Sequence, residues 1–287
     1  MPQAHAATCA AATTTVLVPT EVPVLGWSEN LGYDGAGNLW VSRSWRNELQ
    51  RYDSSGQLTG SISITNPSAV RLGPDGLMYV ASGDLPANLR SGMRGGAVLR
   101  FDPAAESPVP EVFTTGLALP NGAAFDASGN LYVADSLSGV LRIGRDGVVD
   151  AAWSALAPKN LDVLAGVDGA MINGLAVAGD SLYVTVTASV TGRVLRVPID
   201  APQHASVGLD LLTSAGAVSP DDLTVGPDGD LYIATSTGAL IRSDLAGREV
   251  CVMAVGSPVT SLAAVPGTDH ELVAGTMTGD VLRIELP

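Results

Sequence analysis

Hydrophobic and polar positions alternate in short runs along most of the chain, a pattern that indicates β-strands and not helices. One run recurs, in which a polar or glycine position precedes an apolar, an aromatic and another apolar residue, as in "GNLYVADS" at 129–136. A second run built on Leu-Arg follows each time, as in "GVLRIG" at 139–144. Six copies of the pair are present, so the sequence predicts six repeated units of strands.

Each unit is predicted to contain four strands. An inner strand such as 123–127 comes first, the two recurring runs follow, and a variable outer strand such as 57–65 or 248–255 ends the unit. Six such units predict an all-β fold, a six-bladed β-propeller with four-stranded antiparallel blades.

The end of the chain indicates how the ring closes. The sixth unit has no room for an outer strand before Pro287, and the apolar segment 13–19 precedes the first inner strand. This N-terminal strand is predicted to close the ring, which protects both open sheet edges. We therefore expect a flexible head at 1–12 and one propeller domain at 13–287, with a short helical turn within 151–165.

Composition narrows the class of protein. The 287 residues are 46% hydrophobic with 33 Gly, which is typical of a globular chain with many turns. No apolar run of about 18 residues is present, so no membrane span is predicted. The net charge of −14 argues against nucleic acid and is compatible with cation binding. A small-molecule partner is expected, whereas the oligomeric state stays open.

The N-terminal sequence and the cysteines leave two questions open. The first residues lack the basic and apolar regions of an intact signal peptide. The protein is thus expected to be soluble, and either cytoplasmic or exported with the signal already removed. Cys9 and Cys251 either form a disulfide that ties the N-terminal segment to the body or remain free thiols.

One position at the start of every inner strand differs in residue type between the units. Aligning the units on the aromatic strand gives Glu29, Ser68, Asn121, Asn173, Asp221 and, in the sixth unit, Val259 or Thr260. In a propeller these positions converge at one end of the central axis. Four of them carry carboxylate or amide oxygens, the ligands that Ca²⁺ prefers. The carboxylates of Glu29 and Asp221 would balance a divalent cation and would repel each other without one.

A turn-forming role is the competing interpretation of these residues. Asn-Gly and Ser-Pro-Asp are common turn signals, and each one alone favours a turn. Equivalent positions in a repeat should converge on similar turn chemistry, yet these share only a ligating oxygen. Taken together, they favour a shared metal site.

These motifs carry a family resemblance that extends from about residue 20 to the end of the chain. The "LPNG" and "SPDDL" segments and the Glu/Asn/Asn/Asp set resemble the six-bladed calcium-dependent hydrolases of the gluconolactonase / senescence-marker-protein / luciferin-regenerating-enzyme family, with paraoxonase and diisopropylfluorophosphatase as relatives. The resemblance implies a Ca²⁺ at the bottom of the central pocket, held by Glu29, Asn121, Asn173 and Asp221. Ser68 departs from members with a further Asn near the metal, which leaves any fifth ligand undefined.

A bound divalent cation polarises a substrate carbonyl and activates water. Asp221 is then the expected base or nucleophile, and either Asp222 or Asp135 is expected to orient water. The three histidines, at 5, 204 and 270, fall outside the predicted pocket segments, and no Gly-x-Ser-x-Gly elbow is present.

Loops at 42–48, 82–96 and 135–139 and the insertion at 150–171 are expected to form the pocket walls. Their arginines either steer anionic groups or are simply solvated. The residues expected to line the pocket are Trp27, Arg43, Trp45, Arg46, Ser68, Arg90, Met93, Arg94 and Trp153.

Three functions fit the sequence. The first is a metal-dependent hydrolase of a lactone or related ester, with Ca²⁺ as the expected cofactor. The second is a non-hydrolytic enzyme of the same fold, a cyclase or a condensing enzyme like strictosidine synthase. The third is a non-catalytic binding propeller of the NHL type. Metal analysis separates the third function from the others, and a lactone panel separates the first from the second.

Overall fold

The structure, a computed structural model, describes residues 7–20, 22–84, 95–159, 170–211 and 219–287. Six sheets surround one axis, and each blade is antiparallel from its inner to its outer strand. The predicted six-bladed β-propeller is therefore confirmed. The strands of blades 1 and 2 are β3 (Asn30–Tyr33), β4 (Leu39–Arg43), β5 (Glu48–Tyr52), β6 (Leu58–Ser63), β7 (Pro67–Leu72), β8 (Met78–Ser82), β9 (Gly96–Phe101) and β10 (Glu111–Leu117).

The remaining blades follow in chain order. The strands of blades 3 and 4 are β11 (Pro120–Phe125), β12 (Leu131–Asp135), β13 (Gly139–Ile143), β14 (Ile172–Ala178), β15 (Ser181–Val186), β16 (Arg193–Pro198) and β17 (Ser206–Asp210). Those of blades 5 and 6 are β18 (Pro220–Val225), β19 (Leu231–Thr235), β20 (Ala239–Ser243), β21 (Val250–Ala254), β22 (Val259–Ala264), β23 (Glu271–Thr276) and β24 (Val281–Glu285). Short 3₁₀ helices lie at Ser44–Arg46 and Pro202–His204.

The turn between the first two strands of a blade explains its recurring glycine. Gly129 has a φ of +81°, and the equivalent glycines of blades 1, 2 and 5 have φ between +81° and +84°. Only glycine adopts this left-handed conformation without strain. In blade 3, Asp126 Oδ1 accepts a hydrogen bond from the backbone N–H of Asn130, which closes the turn.

The hydrophobic core lies between neighbouring blades and not within any one of them. The cluster between blades 3 and 4, for example, joins Tyr132 and Leu182, which are both fully buried. The aromatic residue of the repeat therefore packs against the next sheet, and the apolar packing holds the ring of blades together.

Blade 3 departs from the four-stranded pattern. Within the described residues its sheet contains three strands, and helix α1 (Ala151–Leu156) packs against β13. Asp150 caps the helix by accepting a hydrogen bond from the Trp153 backbone N–H. The short helical turn predicted within 151–165 corresponds to α1, and residues 160–169 lie outside the described part of the chain.

The N-terminal segment closes the ring as predicted. Strand β2 (Thr13–Val18) pairs antiparallel with β24 and becomes the outer strand of blade 6. Of the segment 1–12 that was expected to be a flexible head, residues 7–12 are described: β1 (Ala7–Thr8) pairs parallel with β21 of blade 5, and Cys9 forms a disulfide with Cys251. Among the described helices, none has the length and apolar character needed to cross a membrane.

Candidate functional site

A cavity of about 350 Å³ opens at the end of the axis where the inner strands begin. All six blades contribute to its lining. Four of the sequence-predicted ligand positions meet there, because equivalent strand starts surround the axis: Glu29, Asn121, Asn173 and Asp221. Within the described residues, no Lys, Arg or His side chain lines this cavity.

Glu29 lies at the centre of a hydrogen-bonded cluster. The Trp27 indole N–H donates to Glu29 Oε2, and Asn121 Nδ2 donates to Glu29 Oε1 at 3.1 Å. The same Asn121 Nδ2 donates to Asp84 Oδ2 at 3.2 Å. Asn121 thus holds two carboxyl groups from different blades on either side of one amide.

Asp221, which lines the cavity from blade 5, is held in a similar way. Asn173 Nδ2 donates to Asp221 Oδ1 at 2.7 Å. Each of the two residues is only 9% exposed. Each candidate asparagine therefore supports a carboxyl group through its nitrogen.

Burial raises the pKa of Asp84 and Asp221 well above the ordinary value of 3.8, and the nearby Glu29 carboxylate raises both further. Burial also raises the pKa of Glu29 above 4.5, although the hydrogen bond from Trp27 opposes that change. The common cause is burial, which leaves all three carboxyl groups poorly solvated, and the charge of Glu29 adds repulsion at Asp84 and Asp221.

Asp84 was missed by the sequence analysis. It lines the cavity from the loop after β8, within the 82–96 segment that was expected to form a wall. Alignment of the six units does not reveal Asp84 as a site residue, because Asp84 lies beyond the strand on which the units were aligned. A carboxylate in a loop already assigned to the pocket was the available clue.

The other ring positions do not line the cavity. Ser68 Oγ donates to the carbonyl oxygen of Pro120 at 2.7 Å, and Thr260 Oγ1 donates to the carbonyl of Ser28. Both hydroxyls connect one inner strand to the next, so the placement of Ser68 in the pocket is corrected. The structure identifies Thr260 as the equivalent residue in blade 6, since Leu262 pairs with Ala274 as Ala123 pairs with Val133.

Asp222 lies behind the cavity and does not line it. The backbone of Asp222 packs against the inner strand of blade 4, where a Cβ atom on Gly174 would lie only 2.4 Å from Asp222 Cα. Glycine at position 174 therefore makes room for the neighbouring strand. Asp222 is 1% exposed and accepts a hydrogen bond from Asn30 Nδ2 at 3.2 Å. A direct catalytic role for Asp222 is therefore not supported by its position.

Asp135 is engaged entirely by the backbone. Its Oδ2 accepts from the N–H of Ala118, and its Oδ1 accepts from the N–H groups of Leu119, Leu137 and Ser138. It is fully buried and fixes the entry into β11. The predicted role in orienting water is corrected, because its oxygens already accept these four N–H groups.

Three further predicted pocket residues do not line the cavity. Arg43 is 3% exposed and donates to the carbonyl oxygens of Gly26 and Gly279, so it connects loops and does not face substrate. Trp153 is 6% exposed, packs on Tyr132 and donates to the carbonyl of Ile199. Arg46 is paired with Glu48 at 3.1 Å and is absent from the described lining.

The apolar part of the cavity wall is only partly as predicted. Trp27 and Trp45 line it, and Trp45 is 56% exposed at the rim. Leu119, Met171 and Met277 complete this wall and were not predicted. Arg90, Met93 and Arg94 lie outside the described residues, whereas His204 and His270 are absent from the described lining.

The site offers oxygen donors of the type that hard cations bind. Two carboxylates and two amides point to one cavity, and Asp84 adds a third carboxylate. No group of three or more His, Cys, Asp or Glu in the described part of the chain has the arrangement of a metal site by itself. A cation site here would thus depend on the asparagine oxygens as well.

Fold and cavity define the class: a six-bladed propeller with a polar site on its axis. A regucalcin from Agrobacterium tumefaciens, described as a calcium-binding protein, has 20% identity and a TM-score of 0.70 over 98% of this chain and 97% of that chain. A gluconolactonase from Xanthomonas campestris has 16% identity and a TM-score of 0.69 over 96% and 90% of the two chains. At these identities the likeness shows the fold that the resemblance predicted.

Two other comparisons match proteins with names of other kinds. A virginiamycin B lyase from Staphylococcus aureus has 12% identity and a TM-score of 0.62, covering 96% of this chain and 99% of that chain. The family model described as strictosidine synthase-like, N-terminal, matches residues 207–243, which include Asp221. A search of curated proteins finds no match.

Proposed function

We propose that this protein is a divalent-cation-dependent hydrolase of a lactone or related ester. The supporting observation is that four oxygen-bearing side chains meet at one cavity: Glu29, Asn121, Asn173 and Asp221. The described lining of that cavity contains no Lys, Arg or His side chain that could balance the carboxylates. Carboxylates that are buried together without a countercharge are costly, and a divalent cation would remove that cost. Ca²⁺ is the expected ion, since all four ligands are oxygen donors.

A cation bound there supplies a Lewis acid that polarises the substrate carbonyl. The residues around it position the ligands. Trp27 fixes one oxygen of Glu29, and Asn173 fixes Oδ1 of Asp221. We assign proton exchange to Asp221 Oδ2, since Asn173 holds the other oxygen of that carboxyl group.

The substrate is expected to be uncharged with an apolar part. The apolar wall of the cavity is supplied by Trp45, Leu119, Met171 and Met277. The described lining contains no basic side chain that would pair with an anionic substrate. Exclusion of water by these side chains strengthens the electrostatic interactions at the carboxyl end of the cavity.

Calorimetry with Ca²⁺, Mg²⁺, Mn²⁺ and Zn²⁺, followed by a lactone and ester panel with and without chelator, tests the proposal. We expect one bound cation and hydrolysis that is lost on chelation and restored by adding the ion. Asp221→Asn should lose both properties, and Asp200→Asn, on an exposed turn, should lose neither. Cation-independent hydrolysis, or no cation binding, would contradict it.

A condensing or cyclising enzyme is the second candidate, because the strictosidine synthase-like model matches the segment around Asp221. Such an enzyme would join or rearrange substrates without consuming water. Product analysis in ¹⁸O-labelled water separates the two, since hydrolysis incorporates the label into the released acid.

A further inference from the structure

A second cavity of about 300 Å³ lies at the opposite end of the axis. It is lined by the far halves of the inner strands, including Tyr33, Phe125 and Thr224. Arg71 of blade 2 lines this second cavity. Its guanidinium Nη2 lies 3.6 Å from Asp222 Oδ2, so Arg71 and Asp222 occupy the axis between the two cavities.

Arg71 is fixed by three more contacts. Its Nη1 donates to Asn30 Oδ1 at 2.6 Å and to the carbonyl oxygens of Leu31 and Val70 at 3.2 and 2.9 Å. The side chain is 19% exposed, whereas that of Asp222 is 2% exposed. A planar guanidinium suits this arrangement, since its fork of donors reaches several acceptors in fixed directions.

Asp222 and Asn30 complete the network across the axis. Asn30 Nδ2 and the Leu262 backbone N–H both donate to Asp222 Oδ2, at 3.2 and 3.5 Å. Asp222 Oδ1 is buried without a hydrogen-bond partner among the described residues. Inner strands of blades 1, 2, 5 and 6 are thereby joined through one guanidinium and one carboxylate.

The network lies directly behind the candidate ligands. Asn30 follows Glu29 in the chain, and Asp222 follows Asp221. A shift of the backbone at Asn30 or Asp222 must therefore move one of the two ligating carboxylates. We propose that Arg71 is a positioning residue that sets the separation of Glu29 and Asp221 by holding Asn30 and Asp222 across the axis.

This inference rests on the proposed cation site and adds a residue that does not touch it. Positioning and charge balance predict opposite results when Arg71 is replaced. If Arg71 only balanced charge, its removal would leave the site more negative and would tighten cation binding. If it positions the ligands, its removal must weaken binding, because ligand geometry is lost.

Calcium titration of the full chain separates these cases. We expect Arg71→Met to weaken Ca²⁺ binding by roughly 10- to 100-fold, the range found for residues that orient metal ligands. Arg71→Lys keeps the charge without the fork, so it should weaken binding by a smaller factor, and it serves if Arg71→Met does not fold. The matched control is Arg242→Met, which removes a surface arginine paired with Asp228 and Asp230. Unchanged or tighter binding in both Arg71 variants would overturn the proposal.

A second measurement needs no cation. In a Trp45→Phe background, acrylamide quenching reports mainly Trp27, because the remaining Trp40 and Trp153 are buried. The Trp27 indole holds Glu29. Arg71→Met should increase quenching, and Arg242→Met should not. The melting temperature of Arg71→Met should rise again when Asp222→Asn is added, because no unpaired buried carboxylate remains.

The two measurements also separate this claim from the proposed function. If the wild type binds no divalent cation, the proposed function fails, while quenching and the melting temperatures still decide the role of Arg71. Unaltered Trp27 quenching, or melting losses that simply add in the double variant, would show that Arg71 does not hold this region.

Discussion

At the scale of single residues, the candidate site is stabilised by protons when no cation is bound. The pKa values of Asp84, Asp221 and Glu29 are raised, chiefly by burial, so their protonated forms are favoured in the folded state. A carboxyl group with a raised pKa contributes stability that is complete below its unfolded-state pKa and is lost as pH rises through its folded-state pKa.

The first prediction follows from the direction of these pKa shifts. Without divalent cations, the melting temperature should fall as pH rises above about 4 through the raised pKa values of these carboxyl groups. Excess Ca²⁺ should reverse the fall at neutral pH, because the ion replaces the lost protons. Differential scanning calorimetry with chelator or with Ca²⁺ measures both curves. Parallel curves would show that the carboxyl groups do not share a cation.

The second prediction concerns Asp84. Asp84→Asn removes one of three crowded carboxylates, so it should raise the cation-free melting temperature at pH 8 while weakening Ca²⁺ binding. About 1 kcal/mol of relieved repulsion corresponds to roughly 2–4 °C in a chain of this size. Asp200→Asn, at an exposed turn, should change neither quantity. A lower melting temperature for Asp84→Asn would indicate that its charge stabilises the fold.

Alignment of the six repeated units is sufficient to predict those site residues that occupy equivalent positions in the units. Glu29, Asn121, Asn173 and Asp221 occupy equivalent strand starts, and propeller geometry brings such positions together. Asp84 and Asp135 show the limit. Asp84 lies in a loop beyond the aligned strand, and Asp135, at the end of β12, is turned toward four backbone N–H groups. Sequence spacing carries no information on that direction.

At the scale of elements, the inner strands of blades 3, 4 and 5 approach one another closely. They leave no room for a side chain at the glycine that follows the candidate asparagine, which is Gly122 in blade 3 and Gly174 in blade 4. A Cβ atom on Gly122 would lie 2.3 Å from the carbonyl oxygen of Asn173, and one on Gly174 would meet the backbone of Asp222. The Asn-Gly pairs thus have a packing function besides any turn preference. The sequence analysis did not predict this packing function, since the approach of strands from different blades is invisible within one repeat.

The third prediction tests this contact. Gly174→Ala should destabilise the protein by about 1–3 kcal/mol, the usual cost of overpacking, because backbone atoms cannot move aside as side chains can. Gly60→Ala is the matched control in a strand, since its nearest neighbour would be an Arg51 side-chain atom at 3.5 Å. Urea unfolding measures both free energies. Equal losses in the two variants would contradict the close approach.

At the scale of the whole molecule, two N-terminal features close the ring. The pairing of β2 with β24 was predictable, because the last unit lacked a strand and an apolar segment was available. The disulfide was not, since two cysteines 242 residues apart give no sign of proximity in sequence. Strand β1 places Cys9 beside blade 5, while β2 continues to blade 6, so the segment bridges two neighbouring blades.

The fourth prediction is that this disulfide stabilises the closed ring. Linking Cys9 to Cys251 restricts the unfolded chain over most of its length, and disulfides typically contribute about 2–4 kcal/mol. Cys9→Ser, Cys251→Ser and the double variant should therefore lose the same free energy of unfolding, and reductant should lower the wild type to that level. If the two thiols packed independently, the single losses would add in the double variant and reductant would have no effect. Chemical unfolding with and without reductant distinguishes these outcomes, and the axial cavity should keep its Ca²⁺ affinity in all three variants, because neither cysteine lines it.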